Sequence, residues 1–118
     1  MNIETFREYC LLKPGVTEEF PFDETTLVFK VGGKMFALTD IEGEFTIALK
    51  CDPEYSIELQ ERHSSITPAY HMSKIHWIDV NEATSFDEKL LKQLIDGSYD
   101  LVYKGLTKKV KDQISNRA

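Results

Sequence analysis

Four residues able to do chemistry stand within a seven-residue span, at His71, Lys74, His76 and Trp77 of the stretch Thr67–Val80, TPAYHMSKIHWIDV. Imidazole changes charge near neutral pH, so His71 can shuttle a proton or bond a ligand, though tying down a loop backbone is its commoner use. The indole of Trp77 offers a surface on which a base or ring stacks; the plainer role of a lone strand tryptophan is in the core. Cys51 follows Lys50, whose charge lowers a thiol's pKa, and Cys51 with His71 is the only natural nucleophile–base pair. No motif supplies an oxyanion hole beside it, so no catalytic residue is assigned and the chain is read as a non-enzyme. His63, His71, His76 and Cys51 lack the close cysteine and histidine spacings of a metal site, so neither a metal nor a cofactor is expected.

Lysines carry the better-supported chemistry. If Val28, Lys30, Ala48 and Lys50 turn away from the core, Lys30 and Lys50 join Lys34 and Lys74 in one basic patch able to meet phosphates or acidic peptides; ordinary salt bridges are the alternative. A second group of cations, Lys104, Lys108, Lys109, Lys111 and Arg117, faces a single acid, Asp112, from Lys104 onward. The same cations suit a solvated helix end. The acids Glu18, Glu19, Asp23 and Glu24 have no cation-loop motif around them and read as a solvated acidic loop.

The elements that must position these residues follow from pattern. Ile75–Val80 alternates, with Ile75, Trp77 and Asp79 on one side and His76, Ile78 and Val80 on the other, so it reads as a strand inside a sheet. The residues before it, with Pro68, read as a loop or short edge strand. Asn2 caps a first helix whose apolar face is Ile3, Phe6, Tyr9 and Cys10, and which stops before Lys13-Pro14-Gly15. VTEEFPFDE (Val16–Glu24) reads as an irregular connection. Thr26–Val31, Lys34–Asp40 and Glu44–Cys51 form an antiparallel meander, with a Gly32-Gly33 hairpin and a Glu42-Gly43 turn. Asp52 and Pro53 start a second helix through Tyr55, Ile57, Leu59 and Arg62, packed lightly on the meander. Ser85-Phe86-Asp87-Glu88 has the capping-box form, and Gly97-Ser98 interrupts the helix that follows, with Ser98 capping its continuation. Helices are expected over one face of the sheet, leaving the other for a partner.

Composition sets the limits. The chain has 118 residues, 42% of them hydrophobic, which suits one domain spanning 1–118 with one ordinary core. Its net charge of −6 argues against a general nucleic-acid binder. No apolar run is long enough to span a membrane. MNIETFREYC lacks the apolar region of a secretory signal, so Cys10 and Cys51 are expected as buried free thiols in a reducing cytoplasm.

The assembled pieces resemble the MmcQ/YjbR family of small bacterial proteins. They are the glycine-linked hairpin with KMFAL, ALKCDPE (Ala48–Glu54), ITPAYHMSKIHWIDV (Ile66–Val80) and SYDLVYKGL (Ser98–Leu106), in the family's order over nearly the whole chain. The resemblance implies an α+β single domain whose antiparallel sheet runs in α-β(3)-α-β(2)-α order with helices packed on it. It also implies DNA binding through a double-wing shape. Lys50, His71, Lys74 and Trp77 fall in the recurring motif. The leading expectation is therefore contact with double-stranded DNA through Lys30, Lys34, Lys50, His71 and Lys74, with Lys104, Lys108, Lys109 and Lys111 as a second electrostatic contact and Trp77 as a stacking surface. The alternative is a protein-interaction module, akin in fold order to small secretion chaperones, that binds a polypeptide or a second copy through the exposed sheet or acidic body. A small-ligand pocket beside His71 and Trp77 is a third. Lysines converging on one face favour DNA, and acids interleaved among them favour a protein.

Overall fold

The structure is a computed structural model that describes residues 1–117. Helix α1 (Ile3–Leu11) starts where the Asn2 side chain accepts from the Thr5 amide at 2.8 Å. It ends ahead of Pro14, and Gly15 turns the chain at φ +73°. There follow β1 (Val16–Glu19), β2 (Thr26–Val31), β3 (Lys34–Asp40), β4 (Ile47–Lys50), α2 (Pro53–Arg62), β5 (Ile66–Pro68), β6 (Trp77–Val80), α3 (Glu88–Lys104) and α4 (Lys108–Arg117). One six-stranded sheet results, ordered β1-β2-β3-β4-β6-β5 and antiparallel at every pairing.

The element order is thus α-β(4)-α-β(2)-α-α, and the expected α-β(3)-α-β(2)-α is corrected at two places. The first is β1, which lies within the segment read as irregular. Its pairing of Val16 with Val31 and Glu19 with Val28 builds an edge strand from a sequence dense in acids. Those acids are neutralised across elements, Glu18 by Arg7 of α1 and Glu19 by Lys30 of β2, and charge on an edge discourages pairing with foreign strands. The second is the separate helix α4, which follows α3 after the turn at Gly105-Leu106, while α3 itself runs unbroken through Gly97-Ser98. A mid-helix glycine costs about 1 kcal/mol against alanine, but the buried stripe of Leu91, Leu94, Ile95, Tyr99 and Val102 outweighs it. Ser98 turns inward to the sheet instead of capping. The N-cap of α3 is Asp87, which accepts from Lys89 and Leu90, and not Ser85.

Smaller differences follow the same logic. β4 is shorter than the expected Glu44–Cys51, and β6 begins at Trp77. α2 starts as expected, with Asp52 accepting from the Tyr55 amide at 3.2 Å; its main neighbour is β5, and Leu59 joins the main core. The Gly32-Gly33 hairpin has both residues at positive φ, +59° and +80°.

The main core lies between the sheet and α1, α3 and α4. Phe6 meets Phe29 edge-on at 5.3 Å, Phe36 meets Tyr99 likewise at 5.4 Å, and the Tyr99 hydroxyl donates to the Pro14 carbonyl at 2.6 Å. α4 closes the end of the sheet. Leu106 and Val110 lie where a Cβ on Gly32 would be, and Ile114 does the same at Gly15. Among the described residues no helix is long and apolar enough to cross a membrane.

Candidate functional site

Strand alternation divides the sheet into two chemically different faces. Leu27, Phe29, Val31, Ile47, Leu49, Ile78 and Val80 point into the helix-covered core. The opposite face carries the cross-strand row Val28–Leu38–Ala48–Asp79. Beside that row, Lys30 pairs with Met35 and Lys50 with Trp77. A bulge opposite Phe29 and Lys30 places both Phe36 and Ala37 in the main core and restores Met35 to the open face.

Among the described residues no helix covers this second face, but the segment between β5 and β6 folds across part of it. The Ala69 amide donates to the Trp77 carbonyl at 3.1 Å, and the Tyr70 amide to Asp79 Oδ2 at 3.1 Å. Ser73 O receives the amides of His76 and Trp77, which turns the chain back into β6. Ala69 and Met72 thereby seal a small second core of Val28, Leu38 and Trp77. Beyond that seal the face opens into a groove of about 580 Å³. Leu38, Ala48 and Met72 supply its apolar floor, with Asp79 in the same cross-strand row as Leu38 and Ala48. Asp23, Asp40, Thr25, Thr26, Thr39 and Thr46 complete the lining, with Phe22 and His71 at the margin.

The groove is acidic by construction. Asp23 is the hub of a turn, accepting from the amides of Thr25 at 2.9 Å and Thr26 at 2.6 Å, and these bonds hold its carboxyl below the usual range. Asp40 accepts from the Glu42 amide at 2.9 Å. Asp79 is half-buried, and burial pushes its carboxyl up, partly offset by the Tyr70 amide and by His71. Among the described residues none of these three carboxylates is paired with a lysine or arginine.

The expected site residues divide among three places. Lys30 and Lys50 do share the open face, two strands and so about 10 Å apart, but Lys30 is held by Glu19. Lys74 is exposed in the covering segment, and His71 belongs to the acidic groove, its ring 4.5 Å from that of Tyr70. Lys34 pairs in register with Val31 on the helix-covered side, so it does not join Lys30 and Lys50. It stands instead at the hairpin end on which α4 rests, the end that carries Lys104, Lys108, Lys109 and Lys111. Lys111 lies 5.6 Å over the Tyr103 ring. The side chain of Arg117 is outside the described residues. Trp77, expected as a stacking surface, is instead enclosed at 8% exposure because Ala69 and Met72 close over it. Both cysteines are buried and free, and burial pushes Cys51 to about 11.

Sequence reasoning offered a small-ligand pocket beside His71 and Trp77; His71 does line the groove and Trp77 does not, and what it missed is the acidic lining. Asp79 had a usable signal, its alternation with Trp77, which puts a carboxylate on an otherwise apolar strand face. Asp23 and Asp40 had none, because only the sheet brings their turns together.

A family model described as YjbR matches residues 11–101. The uncharacterised protein YbdF of Escherichia coli O157:H7 is 42% identical over 107 residues, covering 90% of this chain and 88% of its own. The uncharacterised protein YjbR of Escherichia coli K12 is 31% identical over 100 residues, covering 84% and 85%. A crystal structure from Deinococcus radiodurans, with the family domain DUF419, superposes with a TM-score of 0.88 at 41% identity, over 97% of this chain and 88% of that one. A structure from Pseudomonas syringae gives 0.73 at 30% identity, over 86% and 99%.

Proposed function

The chain belongs to the YjbR family, and from that premise we propose that it is a small binding module whose open sheet face engages a polypeptide. One observation carries this reading: the helix-free face combines an apolar floor with acids set among its lysines. Glu19 occupies Lys30, while Asp23, Asp40 and Asp79 line the groove beside it. Phosphates approaching that face would meet carboxylates, whereas an extended or amphipathic chain finds apolar surface and charged hydrogen-bond acceptors. Binding without chemistry belongs to the same reading, since a thiol held near 11 offers little thiolate at neutral pH.

Selection from a displayed library of random twelve-residue peptides tests it, with the whole protein as bait. Recovered peptides should compete with one another and lose binding to Met72→Glu, which puts a charge on the groove floor. Circular dichroism confirms that the variant is folded. Peptides indifferent to that change, or none above background, would contradict the reading. A light-scattering mass shows whether a second copy is the partner.

A second reading, DNA contact, is favoured at a different place by the gathering of Lys34 with Lys104, Lys108 and Lys109 at the hairpin–α4 end. Among the described residues these four have no acidic partner. An anisotropy titration of labelled duplex DNA at two salt concentrations should then show salt-steep binding that weakens in Lys34→Ala and Lys108→Ala. Absence of binding at low salt sinks that reading.

A further inference from the structure

With the open face taken as a polypeptide surface, on which this step depends, we propose that the groove takes a basic, amphipathic segment: alternate apolar side chains on its floor, and arginine or lysine side chains against Asp23, Asp40 and Asp79. Charge complementarity selects this occupant. Among the described residues three carboxylates line the groove, no lysine or arginine does, and the one other ionisable side chain lining it is His71. An ionised carboxylate has about four lone-pair sites. Asp23 accepts the amides and hydroxyls of both Thr25 and Thr26 and so acts on a cation through its charge, whereas Asp40 and Asp79 accept one bond each, from Glu42 and Tyr70, and leave several sites free. A bidentate arginine uses two at once.

The apolar half of the occupant is equally specified. Leu38, Ala48 and Met72 form a floor that a purely cationic molecule would leave wetted. At the margin Phe22 is 63% exposed, and Tyr70, whose ring meets that of His71, is 77% exposed. A volume of about 580 Å³ has room for a few side chains, and its position on a sheet face suits an extended backbone. The desolvation that raises Asp79 is relieved when a cation arrives, so the half-buried carboxylate adds to binding and costs less in the complex than in the free protein.

The experiment is fluorescence anisotropy of labelled ten-residue peptides against the whole protein. One alternates leucine with arginine, one leucine with glutamate and one serine with arginine, and spermine serves as competitor. The leucine–arginine peptide should bind, weaken with salt, and lose about tenfold in affinity for each of Asp23→Asn and Asp40→Asn, substitutions that keep the side-chain acceptor of each turn. The other two peptides should bind at least tenfold more weakly. Equal binding of the leucine–arginine and leucine–glutamate peptides, both lost in Met72→Glu, would overturn the basic occupant while leaving a polypeptide face intact. Equal binding of the serine–arginine peptide, with full displacement by spermine, would overturn it in favour of a simple cation site. Failure of every peptide would overturn both the basic occupant and the polypeptide face.

Discussion

The Ser98 hydroxyl, midway along α3, donates to the Phe36 carbonyl at 2.6 Å, where β3 carries its bulge. The same oxygen accepts from the Lys50 amide at 2.9 Å, at the end of β4. One buried hydroxyl therefore fixes the long helix to two strands and satisfies backbone groups that the bulge and strand end leave unpaired by the ladder. Ser98→Ala removes both bonds without providing substitutes. It should cost about 2–4 kcal/mol, an unmet buried group being worth about 1–3. Urea unfolding measures this, and a loss under about 0.5 kcal/mol would show that water or a shifted helix replaces the hydroxyl.

Two glycines should respond in opposite directions to alanine. Gly97 lies in α3 with open space where its Cβ would stand, so Gly97→Ala should stabilise by about 1 kcal/mol through helix propensity. Gly32 sits at φ +59°, with Leu106 Cδ1 only 2.7 Å from that position. Gly32→Ala should destabilise by about 1–2 kcal/mol from backbone alone, with added loss as α4 is displaced. Thermal melts of both variants, compared side by side, check the sign of each.

Much of this architecture was legible where one local signal decided it. Asn2, Asp52-Pro53 and Gly32-Gly33 each fixed a helix start or hairpin, and the Ile75–Val80 alternation set which side of the sheet Trp77 and Asp79 face. Errors arose where tertiary contacts overrode local chemistry. Val16–Glu19 reads as loop because its acids are compensated by Arg7 and Lys30, which sequence alone does not bring near. Gly97-Ser98 reads as a break because the partners of Ser98 lie 48 and 62 residues away. The candidate site was the least legible part. The bulge at Phe36 and the fold-back of residues 69–76 decide what is covered, and neither leaves a pattern in the chain.

Trp77 provides a direct test of that covering segment. Its indole packs with Val28, Leu38 and Ala69, so Trp77→Ala should cost about 3–5 kcal/mol. A variant melting within a degree or two of the parent would mean the ring is exposed in solution and the segment stands open.

Asp79 gives a pH dependence of known sign. Its folded pKa is raised by burial, so the stability it contributes is full below the ordinary carboxylate range and is lost as pH rises through the raised value. Asp79→Asn removes that loss and keeps an oxygen for the Tyr70 amide. The melting temperature of the variant relative to the parent should therefore climb between about pH 3 and pH 7. A flat difference, or one that falls, would place the carboxylate in water.

Most decisive for the polypeptide reading is an amide chemical-shift map of the isotope-labelled protein, titrated with the leucine–arginine peptide. The open face predicts shifts centred on Leu38, Ala48, Met72 and Asp79, with α1 and the α3 core stripe unmoved. Shifts confined to Lys34 and the α4 lysines, or spread over the helix-covered side, would contradict it.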